Sequence, residues 1–370
     1  MTKVGIITFL HNENYGSTLQ AYALAHAVHA LGYEAVHLDY APGTAEKIKN
    51  LVRCGNSPKL LLDGLRKRLV KAEQAQARAK ASALTAFRKE SLPLSAVCHD
   101  SASLHAASDA CDILLAGSDQ IWSPTWLNPA YFFAFADADK PRVAYAPSFG
   151  VAKLPNHRKA HMMQKLIAPF QSISIREEEG VKLLQDLSGR HAEVMPDPVF
   201  LLSCEDWLAF AAKPSISEPY LLCYFIGENP AYWQTVKAVA EQSHLKVAIL
   251  PATAEAWQQD GIKQGSASPQ EWVGLIAGAS AMVTDSFHGA AFAYLLGTNV
   301  TVLRRYREGD PASRNSRIDQ LHRNLGIADG QVPSEEALQE HLAAMRGRGL
   351  HWLNDALKQA SSAIPQAAAK

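Results

Sequence analysis

"SAMVTDSFHGAAFAYLLGTNVTVLRR", residues Ser280–Arg305, reads as a strand, a helix and a second strand in succession. The apolar run Ala281-Met282-Val283 ends at Thr284-Asp285-Ser286, where polar residues stop it. Phe287 to Leu296 follows as a run of small and apolar residues at helical spacing and halts at Gly297. The β-branched run Val300-Thr301-Val302 then closes the unit before a pair of arginines. A helix linking two strands is the signature of a βαβ crossover, so the two strands are expected to be parallel neighbours in an α/β sheet.

The same rhythm extends in both directions. VGIITFL near residue 4, AVHLDY near 35, DILLAGS near 112 and RVAYAPS near 142 read as buried strands, with a helix such as Thr18–Gly32 between them. It restarts after about residue 170 with SISIREEEGVKLLQDL, then PYLLCYFIG, AYWQTVKAVAEQS, KVAILPA and SPQEWVGLIAGA. The fold class expected is α/β, with two doubly wound Rossmann-like domains facing a cleft. The boundaries expected are an N-terminal domain over 1–168, a C-terminal domain over 169–330, and a helical segment over 331–370 packing back on the first domain.

The 370 residues exceed one ordinary domain and suit two. Hydrophobic residues make up 48% and charged residues 19%, a globular profile that excludes a disordered chain. Lys+Arg and Asp+Glu balance at 36 each, so no global field points to nucleic acid. Cys54, Cys98, Cys111, Cys204 and Cys223 are odd in number and without a C-x-x-C, which suits reduced thiols and neither a disulfide framework nor a metal site. The N-terminus reads as a first strand and not a signal peptide, and no run of about 18 apolar residues occurs. A cytoplasmic location is the expectation. Between Lys47 and Glu90 twelve Lys/Arg stand against three Asp/Glu, with Leu60, Leu61, Leu62, Leu65 and Leu69 among the first charges. This excursion reads as a solvated helical face, or as a basic amphipathic face for peripheral contact with the inner face of a membrane or for an anionic acceptor.

In doubly wound sheets ligands bind where strand ends lead into helices. After the first strand, HNENYGSTLQAYAL offers Asn14, Tyr15, Gly16, Ser17 and Gln20 as a polar pocket. It lacks G-x-G-x-x-G, and no acidic residue stands where a dinucleotide ribose needs one. After DILLAG, the residues Ser118, Asp119 and Gln120 lie beside Trp122, a flat apolar face of the kind a sugar ring uses, although a tryptophan near a turn equally fills a core. Arg176 follows SISI and is either a surface ion pair or a bidentate anion clamp at the cleft. Asp197, between two prolines, reads as a rigid turn. Asp285 is the expected cap of the helix starting at Ser286, which places His288 in its first turn, beside backbone amides at the positive end of the dipole. Gly289 leaves room for a ligand there. The same placement also suits a structural histidine. RRYREGDPASRNSRIDQLHRNLG carries arginines at 304, 305, 307, 314, 317 and 323, either an exposed loop or a cluster for an anion.

Taken together, N-Y-G-S-x-L-Q-A-Y-A-L (Asn14 to Leu24), G-S-D-Q-I-W (Gly117 to Trp122), I-R-E (Ile175 to Glu177), P-D-P-V-F-L-L (Pro196 to Leu202), D-S-F-H-G (Asp285 to Gly289) and S-R-I-D-Q-L (Ser316 to Leu321) resemble the polysaccharide pyruvyl transferase family. The resemblance implies an architecture similar to the GT-B glycosyltransferases. It implies an enzyme that moves the pyruvyl group of phosphoenolpyruvate onto two sugar hydroxyls as a cyclic ketal, releasing phosphate, with no cofactor and no metal. The partners it implies are phosphoenolpyruvate and a sugar or lipid-linked oligosaccharide acceptor, as in exopolysaccharide or other cell-surface glycan synthesis. By the same resemblance His288 is the catalytic residue. Arg176, in the second domain, binds the donor together with Ser286, Gly289, Arg317, Arg304 and Arg305. The acceptor falls to Asn14, Tyr15, Gly16, Ser17, Gln20, Ser118, Asp119, Gln120 and Trp122. Better-characterised members carry an arginine two residues before the histidine, where this chain has Ser286. The alternatives are a GT-B-like glycosyltransferase using a nucleotide sugar and an inactive glycan-binding relative.

Overall fold

The computed structural model describes residues 1–57, 75–151, 153–154, 156–306, 315–328 and 331–364. Two compact units emerge. The first comprises the described residues of 1–57, 88–201 and 344–364, and the second those of 75–87 and 202–343.

The first unit is a six-stranded sheet in the order β2-β1-β3-β4-β5-β6, built from β1 (Lys3–Ile7), β2 (Glu34–His37), β3 (Ile113–Ala116), β4 (Arg142–Ala144), β5 (Ser172–Ile175) and β6 (Glu193–Val194). Every pairing is parallel, with Ile6 opposite His37 and Ile7 opposite Ala116. Because both faces are covered, β3 and β4 are buried at every residue, which explains the unbroken apolar run of β3; in β4 the buried Arg142 donates to the Ala136 and Asp137 carbonyls. The helix Tyr15–Ala30 leads from β1 towards β2, started by Asn14, whose Oδ1 accepts the Gly16 N–H at 2.9 Å.

The second unit has five parallel strands in the order β11-β10-β7-β8-β9: β7 (Tyr220–Tyr224), β8 (Lys246–Ile249), β9 (Ile262–Lys263), β10 (Ala281–Thr284) and β11 (Val300–Val302). Residues 280–305 form the expected crossover, with β10 and β11 paired in parallel on either side of the helix Phe287–Leu295. All nine residues of that helix are buried. Phe292 packs edge-on against Trp207 and Trp272 at ring centroids of 4.7 and 5.1 Å.

Both sheets reverse strand order once, between β1 and β3 in the first and between β7 and β10 in the second. In doubly wound sheets such switch points, at the strands' carboxyl ends, are where ligands bind.

The division differs from the expected one at 168. β5 pairs with β4 (Val143 opposite Ser172) and β6 with β5, so the segment expected to open the second domain completes the first sheet. The chain changes unit at Leu201–Leu202, after a 3-10 turn, Pro198–Leu201, that lies against the helix Tyr15–Ala30. Residues from Ala344 onward, within the helix Glu335–Ser362, belong to the first unit, where Trp352 meets Tyr145 and Ser172 Oγ donates to Gln359 Oε1. In the basic excursion, the helix Thr44–Cys54 buries Glu46, Asn50 and Cys54 and exposes Lys49 and Arg53. The leucines from Leu60 to Leu69 lie outside the described residues, as do Arg307 and Arg314.

Candidate functional site

In the second unit the chemistry gathers at the β7/β10 switch point. Asp285 does not cap the helix as expected. Its carboxylate reaches across to the β7 loop instead, Oδ1 accepting the Ile226 N–H at 2.7 Å and Oδ2 the Gly227 N–H at 2.8 Å. A Cβ at Gly227 would stand 2.7 Å from that Oδ2, so only glycine lets the loop come this close. The cap is Ser286, whose Oγ accepts the Gly289 N–H at 3.2 Å. Thr284 Oγ1 accepts the Ser286 N–H and donates to the Tyr224 carbonyl at 2.6 Å, tying the turn to β7. An arginine at 286 could not cap in this way, a local reason for serine there.

His288 lies in the first helical turn with 6% of its surface exposed, its ring edge-on to Phe287 at 5.1 Å. The Arg317 guanidinium carbon stands 5.9 Å from the centre of the same Phe287 ring. Arg305 donates from Nε to Asp285 Oδ2 at 2.9 Å and from a terminal nitrogen to the Asp285 carbonyl at 3.1 Å. Burial alone would lower its pKa, but Asp285 outweighs that and holds it above the ordinary value. Arg304 is largely exposed and pairs with Asp319 at 2.7 Å. Arg305 and Arg317 thus approach the turn that carries His288, and Arg304 faces outward. The helix N-terminus adds the positive end of its dipole. A proton-transferring imidazole beside an anion-favouring terminus is the chemistry this end of the sheet offers.

Arg176 belongs to the first unit, not the second, because it follows β5. Its surroundings are also the wrong sign for the donor-binding role implied by resemblance. The guanidinium donates to Asp197 Oδ2 at 2.5 Å, with Asp119 at 3.8 Å and Glu177 at 3.9 Å, and all four side chains are buried or nearly so. Burial would lower the arginine's pKa, yet these three carboxylates together raise it. One cation among three anions repels a phosphate or a carboxylate. Asp197, read from its prolines as a turn, also accepts the Val199 N–H through Oδ1.

Several expected acceptor residues prove to be framework. Trp122 is 0% exposed, stacked on Phe132 at 5.0 Å and 11°, with Phe149 and Phe170 edge-on around it, so it is a core residue and not a sugar platform. Tyr15 and Ser118 are interior, and Ser118 Oγ donates to the Ala146 carbonyl. Gln20, 0% exposed, donates through Nε2 to Thr8 Oγ1 and the Ser17 carbonyl, both at 2.9 Å. Gln120 packs beneath Gly150, where a Cβ would lie 2.7 Å from its Nε2. Gly16 and Ser17 are buried, and Ser17 Oγ donates to Asp119 Oδ2 at 2.5 Å, a bond that crosses the β1/β3 switch point. Asp119 holds φ 68, a conformation costly for a non-glycine residue, fixed by its N–H–accepting Oδ1 and by the Ser148 N–H on its carbonyl. Of the expected acceptor set, Asn14 alone keeps substantial surface.

A pair outside the expected set stands at the same end of the sheet. His11 Nε2 lies 2.5 Å from Asp39 Oδ1, and 33% of the histidine side chain is exposed against 7% of the aspartate's. Its signal was available: His11 follows β1, Asp39 follows β2, and the two strands are parallel neighbours, so both residues end on one edge. Among the described residues, His105, Asp109 and Asp137 bring ligand atoms within 4.8 Å of one another. They precede β3 and β4 and so lie at the opposite edge. Among the described residues no helix is long and apolar enough to cross a membrane.

The fold is similar to that of the UDP-GlcNAc 2-epimerase from Neisseria meningitidis bound to UDP-GlcNAc, at a TM-score of 0.50 and 10% identity over 97% of this chain and 100% of that one. The glycosyltransferase SnogD from Streptomyces nogalater aligns at a TM-score of 0.46 and 14% identity, over 98% of this chain and 99% of that one. The likeness to the epimerase is one of fold, two parallel α/β sheets. No curated protein sequence matches the chain. The polysaccharide pyruvyl transferase family matches residues 14–305, a stretch holding the β7/β10 switch-point loops, the Asp285–Ser286–His288 turn and Arg176. With most of its length so matched, the chain belongs to the polysaccharide pyruvyl transferase family.

Proposed function

We propose that this protein transfers the pyruvyl group of phosphoenolpyruvate to two hydroxyls of one sugar in a polysaccharide or lipid-linked glycan precursor. The product is a cyclic ketal and the leaving group is phosphate. One observation carries the reading: the family match includes a helix start at which His288 shares a turn with the Ser286 cap and the Asp285–Arg305 pair. The donor is an anion twice over, and a helix N-terminus with arginines beside it suits such a ligand. In this reading Arg305 and Arg317 serve in place of the arginine that Ser286 lacks.

Protonation of the donor's methylene carbon by His288 makes the adjacent carbon electrophilic. A sugar hydroxyl adds to that carbon and loses its proton, giving a tetrahedral adduct that still carries the phosphate. The second hydroxyl then displaces phosphate from the same carbon and closes the ketal. Two hydroxyl protons are released, one of them replacing the proton given up by His288. Imidazole suits both directions of transfer near neutral pH.

The test is incubation of the full chain with phosphoenolpyruvate and a panel of β-galactosides and hexosamines, following phosphate and acceptor mass. Phosphate release matched by a mass gain of one pyruvyl ketal is the expected result. Release of neither product across the panel refutes the reading. Protection against heating by a uridine nucleotide would favour nucleotide-sugar transfer, and acceptor binding with neither donor a glycan-binding protein.

A further inference from the structure

The helix Thr44–Cys54, in the first unit, turns its polar face inward and its apolar face outward. Ala45, Ile48 and Val52, at i, i+3 and i+7, form an apolar stripe, and all three are exposed, Ile48 by 51% and Val52 by 67%. On the opposite face Glu46, Asn50 and Cys54, at i, i+4 and i+8, are buried. Glu46 Oε1 accepts from Ser101 Oγ at 3.2 Å, and Asn50 Nδ2 donates to Asn128 Oδ1 at 3.3 Å. A helix that served only its own unit would bury the apolar stripe and wet the polar one. We propose that this face is the protein's contact with an anionic lipid surface, into which Ile48 and Val52 insert while Lys49 and Arg53 meet lipid phosphates.

Charge complementarity identifies the occupant. At about 100° per residue, Lys49 and Arg53 border the stripe on one side, and Lys47 lies beyond Leu51 on the other. The helix's single acidic residue, Glu46, is buried and takes Lys49 Nζ at 3.4 Å, so no carboxylate of this helix faces outward. Another cation arrives from the neighbouring helix His157–Ile167. Arg158, exposed, donates to the Arg53 carbonyl at 3.5 Å, and Lys159 Nζ donates to Asn56 Oδ1 at 3.0 Å, which ties the two helices together.

Basic residues at a helix end also answer its dipole, but that leaves the exposed stripe unaccounted for. An acidic protein partner fits less well. The stripe is aliphatic and flanked by lysine, whereas the centres of protein interfaces favour aromatic residues and are depleted in lysine. An apolar stripe with basic borders is the pattern of a helix lying in the plane of a bilayer interface. The whole chain balances 36 cationic against 36 anionic side chains, so the attraction is local, and each cation near an anionic surface adds to it. Such a contact does not depend on pyruvyl transfer; if the acceptor is lipid-linked, it brings the protein to the surface that holds it.

The test uses the full chain, without donor or acceptor, and vesicles of phosphatidylcholine with or without phosphatidylglycerol. Wild type should sediment with the anionic vesicles and not with the neutral ones. Salt at about 1 M, where the screening length is about 3 Å, should release it. Lys49→Gln/Arg53→Gln should bind about 30-fold more weakly, about fivefold for each charge, whereas Lys49→Arg/Arg53→Lys should bind as wild type. Ile48→Ser/Val52→Ser should lose at least about tenfold through the apolar burial it forgoes. Because these side chains are exposed, all three variants should melt with wild type. A polarity-sensitive dye on Val52→Cys, in a Cys204→Ser background that removes the partly exposed thiol, should report water in buffer and an apolar setting on anionic vesicles. Undiminished binding by Ile48→Ser/Val52→Ser, or equal binding to neutral vesicles, overturns the proposal. No sedimentation with anionic vesicles also overturns it and leaves an acidic protein partner as the occupant. A dye already in an apolar setting without vesicles overturns it as well, and assigns the face to another part of the chain or to a second copy.

Discussion

Arg176→Met tests whether this arginine holds the first unit together, as its surroundings indicate. Methionine keeps the unbranched stem and removes the charge. What remains is Asp197 at 0% side-chain exposure, Glu177 at 3% and Asp119 at 12%, three carboxylates around a vacated cation site. Neutral donors also meet them, among them the Val199 N–H on Asp197 Oδ1, Ser118 Oγ at 3.5 Å from Oδ2, Ser17 Oγ and the Gln120 N–H on Asp119, and Ser148 Oγ on Glu177, but none of these carries a charge. Breaking a buried ion pair by deleting one partner costs about 3–5 kcal/mol. At about 2–4 °C per kcal/mol for a unit of this size, the melting temperature should fall by about 6–20 °C. Calorimetry or circular dichroism reads this directly. Adding Asp197→Asn removes the closest uncompensated charge and should recover part of the loss, a coupling of about 0.5–3 kcal/mol. A loss under about 1 kcal/mol, the range of exposed pairs, would refute the structural role. Retained stability with a raised donor requirement would return Arg176 to anion binding.

Further outcomes concern other parts of the chain. Burial lowers the His37 pKa from 6.5 to about 4, and its ring nitrogen faces the Ala21 carbonyl at 3.2 Å. The neutral imidazole's contribution is therefore fully present above about pH 6.5 and disappears as pH falls towards 4, about 3 kcal/mol in all. Urea unfolding at pH 7 and pH 4.5 should show this slope in wild type and a shallower one in His37→Gln. Gly289→Ala would place a Cβ 2.6 Å from Thr284 Oγ1, which is held by two hydrogen bonds, so a loss of about 1–3 kcal/mol is expected in the same assay. An alanine variant as stable as wild type would show that the helix start can shift. Burial raises the pKa of all five thiols, Cys111 to about 11, and Cys204 alone is not fully buried. A native thiol-reagent titration should label Cys204 slowly and first; faster labelling of Cys223 would contradict the packing of β7.

The central strands β1, β3, β7 and β10 were legible because they are buried almost throughout and read as apolar runs, whereas the two-residue β6 and β9, short and partly exposed, left no run to read. The crossover at 280–305 was legible from buried β10 and its small-residue helix, although β11 is partly exposed. The unit boundary was not, because a strand–helix rhythm continues through SISI whether β5 starts a new sheet or completes the old one. Only its pairing with β4 decides, and pairing is long-range. Trp122 failed for a related reason. An aromatic residue after a strand reads the same facing water or core, and Phe132, Phe149 and Phe170 come from three separate segments. For Arg176 the motif was visible, Glu177 included, but Asp119 and Asp197 arrive from other loops, and with them the electrostatic conclusion reverses. Ser286 and Asp285 exchanged roles by one residue, the usual uncertainty of a helix start. His288 stood where a βα turn had to place it, and His11 was overlooked because its partner lies at the end of another strand.

The central claim is that His288 transfers the proton in a phosphoenolpyruvate-dependent reaction. Its most direct test is single-turnover phosphate release by wild type and His288→Ala with a saturating acceptor, alongside a melting curve of each. The account predicts a burst of phosphate from wild type, none from the variant, and stabilities within about 1–2 kcal/mol of each other. A folded His288→Ala protein that releases phosphate at the wild-type rate would contradict it.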